Sequence, residues 1–119
     1  MDVLNVEYMV GLIPVLLGYL PLTLKLAGTG MVLALILSCL LAVVRVLAIP
    51  VVNQLTILFI SFFRGTPLLV QLFLFYYGLP QLFSSLTVID GITATIMGLT
   101  MHFSAYMAES IRAAITGVD

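Results

Sequence analysis

Charged residues fall at wide intervals along this chain, and the apolar runs between them set its elements. Between Lys25 and Arg45, the stretch Leu26 to Val44 holds 19 uncharged positions. At about 1.5 Å per residue that length matches a hydrocarbon core of about 30 Å. A first helix is therefore expected over about 21–47, entering near Pro21 and leaving before Pro50, because proline suits both the first helical position and the exit. Ahead of it, 3–20 is apolar but interrupted by Gly11, Pro14 and Gly18, and it carries Glu7. It reads as a short interfacial helix or loop lying on the membrane, with a poorly formed extra span as the alternative.

A second helix is expected over about 52–79. Pro67 to Leu79 is only 13 residues, too short to cross alone, whereas Leu55 to Leu79 is 25, enough with tilt. The helix is thus expected to continue through Arg64, Gly65, Thr66 and Pro67 with a kink or break. Tyr76 and Tyr77 suit a membrane interface, and Gly78 and Pro80 are expected to stop the helix. An external loop follows over 80–90, and Asp90 can cap a third helix over about 91–115. Small residues four apart, Ala94 with Gly98 and Ser104 with Ala108, permit close helix packing.

Composition turns these apolar runs into a membrane assignment. Of 119 residues, 63% are hydrophobic and 8% charged; a soluble domain is nearer half and a quarter. The fold class is all-α, a polytopic membrane protein, so the lipid bilayer is its first partner. A net charge of −1 gives no pull toward nucleic acid. The single cysteine, Cys39, excludes a disulfide framework within one chain and reads as a small packing residue. Asp2 and Glu7 stand where a signal peptide needs basic residues, so the first span is expected to be retained. With the N-terminus outside, Arg45, Arg64 and Arg112 fall toward the cytoplasm and only Lys25 lies outside, as the positive-inside rule prefers.

The candidate chemistry is polar side chains inside spans. Thr66 before Pro67 has the form of a helix start, a hydroxyl N-cap followed by proline. Gly65 can adopt backbone angles other residues resist. Arg64 then sits at a helix C-terminus, where the dipole favours a cation. This break is either an interface-anchored kink or the border of a permeation path. Gln71, in the apolar second half of that helix, needs a partner: another helix, or a polar pathway. His102, Tyr106, Glu109 and Arg112 share one face of the third helix, as interhelical glue or as pathway lining, and Glu109 can pair with Arg112. The chain has no phosphate-binding GxxxxGK[ST] loop, no metal-ligand cluster and no nucleophile–base arrangement, so neither catalytic nor metal residues nor a cofactor are expected.

"FISFFRGTPLLVQLFLFYYGLP" (Phe59 to Pro80) and "AYMAESIRAAI" (Ala105 to Ile115) resemble the permease subunits of bacterial ABC importers for polar amino acids, the histidine/glutamine/cystine group. "YYGLPQ" and the overall spacing look most like the cystine-type members. The resemblance covers about five-sixths of the chain, from Leu20 on. It implies a multi-pass protein of the bacterial inner membrane with five spans and an outside N-terminus. It implies three partners: a second permease subunit in a homo- or heterodimer, a cytoplasmic ATP-binding subunit that hydrolyses the ATP, and an extracytoplasmic solute-binding protein. It makes Gln71, His102, Tyr106 and Glu109 candidates for the substrate pathway, and Arg64, Gly65, Thr66 and Pro67 a conformational element. The chain departs from the family in two ways. It stops at Thr116 to Asp119, where a cytoplasmic coupling loop and two further helices are expected, so it looks like the N-terminal three-helix portion. His102 stands where asparagine is common. The rival reading is a small three-span oligomeric pore or structural membrane protein.

Overall fold

In a computed structural model, residues 5–86 and 90–118 are described. Helix α1 runs unbroken over Val6–Leu47, 42 residues. It starts where Asn5 accepts the Tyr8 N–H at 3.0 Å. The expected boundary at Pro21 is absent, and the interfacial segment 3–20 is, from Val6 on, the first part of the same helix. Pro14 and Pro21 sit inside it. Each removes one backbone donor, whereas a loop through so apolar a stretch strips several groups of partners at once where water is scarce.

Helix α1 ends in a tight corner. Ala48 takes left-handed angles (φ 49°, ψ 46°). Val51, with φ 68° and ψ −53°, is the centre of a γ-turn closed by the Val52 N–H on the Pro50 carbonyl at 2.8 Å. That conformation is rare and strained for a β-branched residue.

Helix α2 covers Val52–Gly65 and α3 covers Leu68–Phe73. A π-helical turn over Leu74–Gly78 leads into α4, Leu79–Leu82. The span expected over 52–79, with a kink or break at 64–67, is a pair of helices bent by 110° at the Thr66–Pro67 break, a far sharper turn than a tilted span implies. Gly78 and Pro80 do not stop the second part. The wide turn lets the Leu79 N–H reach the Leu74 carbonyl, so the missing donor of Pro80 falls at the start of a new turn, where it costs nothing. Residues 80–82, expected in the external loop, are therefore helical. Ser84–Leu86 form a 3₁₀ turn, and 87–89 of that loop lie outside the described residues.

Helix α5 covers Gly91–Thr116, and Asp90 caps it by accepting the Thr93 N–H at 2.8 Å. Helices α1 and α5 form the main packing pair, and they run parallel. Gly30 lies against Leu99, and further along Arg45 meets Glu109. The α1 side of their contact is a stripe of small buried residues, Gly30, Ala34, Ser38 and Ala42, whereas the small buried residues Gly98, Ala105 and Ala108 of α5 receive the α2–α4 segment. The α1 members recur every four residues, the spacing that brings one face of a helix close to its neighbour. Ser38 and Ser104 donate to carbonyls of their own helices at 2.8 and 2.9 Å, so both are buried as small, already satisfied groups. Cys39, next to that stripe, is exposed and does not pack in it.

The α2–α4 segment returns along α5 in the opposite direction. Ile60 and Phe63 pack on Ala105 and Ala108. Further on, Leu72 and Phe75 lie against Gly98, and Leu69 to Tyr77 approach Gly91–Thr95. Among the described residues one helix, α1, is long and apolar enough to cross a membrane, and the bent pair meets that measure only taken together.

Candidate functional site

The break after Gly65 leaves the last carbonyls of α2 without helical partners. Side chains from α3 and α5 supply them, together with the break residue Thr66. The Thr66 hydroxyl donates back to the Phe62 carbonyl at 2.6 Å. It therefore closes α2 and does not cap α3; Pro67 stands at the N-cap instead, with no side-chain cap. The Gln71 amide donates to the Phe63 carbonyl at 3.0 Å and to the Thr66 carbonyl at 2.9 Å. The Tyr106 hydroxyl donates to the Arg64 carbonyl at 3.1 Å. Three side chains thus brace a bend that would otherwise expose unpaired backbone in an apolar setting.

Gln71 is only 1% exposed. Both its donor bonds cross the bend, which ties α3 to the end of α2. Its Oε1 is buried without a protein partner among the described residues. It borders an apolar cavity of about 240 Å³ with Phe62, Leu74, Phe75, Gly78, Leu79 and Leu82. Gly65 has no positive φ, and a Cβ built there meets nothing within 4 Å. Its expected backbone licence is unused: the bend comes from ordinary extended angles at Thr66 (φ −113°, ψ 134°) and Pro67 (φ −61°, ψ 144°).

Tyr106 is half exposed, and its ring also receives Arg64, whose guanidinium carbon lies 5.6 Å from the centroid. That is within cation–π reach. His102, half-buried, stands 5.1 Å from the Tyr106 ring, centroid to centroid. Glu109 faces a different neighbour. It pairs with Arg112 through Oε2 (2.9 Å to Nη2, 3.2 Å to Nε) and with Arg45 of α1 through Oε1 at 3.5 Å. The structure therefore gathers Arg64, Thr66, Gln71, His102 and Tyr106 round the bend, while Glu109 belongs to a charge cluster joining α1 to α5. Sequence reasoning missed Arg45 as the partner of Glu109, since no local spacing links them. It also missed the α1 stripe, whose period of four was there to be read. Among the described residues no group of side chains could hold a metal ion.

No family model matches the chain. It is 61% identical over 113 residues to the probable amino-acid ABC transporter permease protein PatM of Vibrio harveyi, covering 95% of this chain and 51% of that one. It is 39% identical over 111 residues to the L-cystine transport system permease protein TcyL of Bacillus subtilis, covering 90% and 46%. Its fold matches a chain in the crystal structure of an amino acid ABC transporter with histidines, with a TM-score of 0.83 and 34% identity over 99% of this chain and 54% of that one. The chain belongs with the amino-acid ABC transporter permeases. It spans about half the length of the curated relatives it matches. In this permease segment the motif "FRGTPLLVQLF" is a braced bend, and the polar face of α5 supplies one of its braces.

Proposed function

We propose that this chain forms part of the wall of a translocation path for a polar amino acid in an ATP-driven importer. It would act beside a second permease subunit, with an ATP-binding subunit on the cytoplasmic side and a solute-binding protein outside. The chain itself carries no catalytic step. Its 61% identity over 113 residues with a probable amino-acid ABC transporter permease carries this reading. That similarity favours the permease over a self-contained three-span pore. Three crossings fit the geometry: α1 and α5 point the same way, so the segment between them brings the chain back across. The outside N-terminus is supported by the charge distribution, with Arg45, Arg64 and Arg112 toward the cytoplasm.

On this reading the side chains round the bend have separate roles. Gln71, with its donors engaged, keeps the bend rigid. Tyr106 and His102, partly exposed on α5, are the polar groups a passing amino acid can reach. Glu109 fixes α5 to α1. The similarity to an L-cystine permease supports cystine as a candidate cargo. The test is uptake of radiolabelled amino acids by the intact transporter, with unlabelled cystine as competitor. Tyr106→Ala and Glu109→Ala are expected to lower uptake at least about tenfold at normal protein levels, the loss of about 1.4 kcal/mol of interaction. Unchanged uptake in both would overturn the wall reading. Failure of cystine to compete would remove cystine alone.

A further inference from the structure

The translocation reading leaves one cluster unused. Arg45 in the last turn of α1, Arg64 in the last turn of α2, and Glu109 line a single cavity of about 210 Å³ with Ile57, Ile60 and Ser61. Arg112 stands behind Glu109. The cluster holds three guanidiniums and one carboxylate. Glu109 is fully engaged by Arg45 and Arg112. Arg64 has no carboxylate partner among the described residues and rests on the Tyr106 ring. Arg45 Nε is buried there without a partner. The formal excess is two positive charges. The C-termini of α1 and α2 take back about half a charge each, which leaves a surplus of about one.

We propose that this cavity binds a phosphate group carrying a single negative charge, that of an anionic phospholipid headgroup. Guanidinium forks match the paired oxygens of a phosphate better than any other side chain does, and Ser61 is placed to add a hydroxyl donor. The cavity holds about seven water volumes, room for one phosphate. A lipid is the favoured source because the cavity lies at the C-terminal end of α1, the helix long and apolar enough to cross a membrane, and the α2 surface next to Ser61 is apolar and open: Leu58 and Phe62 are 67% and 49% exposed. Acyl chains can lie along these residues while the headgroup sits between the arginines. The carboxylate of Glu109, which would repel a phosphate, is neutralised from both sides.

The experiment uses the full-length permease in nanodiscs of phosphatidylcholine with increasing phosphatidylglycerol, and reads retained lipid by native mass spectrometry. Wild type is expected to retain phosphatidylglycerol. Arg64→Gln and, independently, Ser61→Asp are each expected to weaken retention roughly tenfold, the loss of one charge-assisted contact or the addition of one repulsion. The Ser61 hydroxyl makes no hydrogen bond among the described residues, so Ser61→Asp decides the matter if Arg64→Gln does not fold. Equal retention in wild type and Ser61→Asp overturns the proposal. So does displacement of the lipid by millimolar inorganic phosphate, which would mark a site for the free ion.

Discussion

Replacing Gln71 by leucine keeps most of the volume and removes both amide donors. The carbonyls of Phe63 and Thr66 would then lie unpaired beside buried apolar groups, and each such loss costs about 1–3 kcal/mol. The expected result is a fall of several degrees in the melting temperature of the purified permease. Tyr106→Phe removes only the bond to the Arg64 carbonyl and keeps the ring under the guanidinium, so its cost is nearer about 1 kcal/mol. If the two variants melt together, the brace is not what holds the bend. Val51→Gly has the opposite sign. It releases strain of about 1–3 kcal/mol at a positive φ, less the roughly 0.5–1 kcal/mol of extra chain entropy that glycine brings, so a higher melting temperature is expected.

At the scale of elements, the α1–α5 seam can be tested with two glycines two residues apart. A Cβ on Gly30 would approach the Leu99 Cβ to 2.9 Å, while one on Gly28 meets nothing within 4 Å. Gly30→Ala is expected to destabilise, since a Cβ cannot swing aside as a side-chain tip can. Gly28→Ala is expected to stabilise by about 0.5–1 kcal/mol through helix propensity. The start of α5 adds a pH dependence. Hydrogen bonds from Thr93, first its hydroxyl and then its backbone N–H, hold the exposed Asp90 carboxyl below its ordinary 3.8. A lowered value stabilises the folded state above pH 3.8, and that contribution is lost as pH falls through the folded value. Asp90→Ala should therefore melt earlier than wild type at pH 7 and converge with it in acid. The third helix was legible because charges and a cap mark its ends. The bend was legible as a break but not as a 110° turn, because its braces come from Gln71 and Tyr106, beyond any local pattern. The start of α1 was misread because local propensity weighs Pro14 and Pro21 heavily, whereas an apolar setting penalises an open backbone more.

For the whole molecule, parallel α1 and α5 set a constraint that no single element carries. Single cysteines at Asn5 and Gly117, in a permease whose Cys39 is replaced by alanine, should react with a membrane-impermeant thiol reagent from opposite sides of the membrane. Labelling from one side would mean that the bent segment does not return the chain across. The gathering of Arg45 with Glu109 was invisible in the sequence, since charge pairing between distant helices depends on the register of the seam. Helix α1 is about 63 Å long at about 1.5 Å per residue, and its C-terminal end is fastened to α5 by the Arg45–Glu109 pair. The seam from Gly30 to Ala42 clamps the C-terminal part of α1 as well, whereas no described residue ahead of Gly30 is buried, which leaves about 36 Å of helix standing free. A rod clamped along part of its length is a lever: a rotation of about 5° where the seam begins carries Val6 about 3 Å, two residues' rise along a helix.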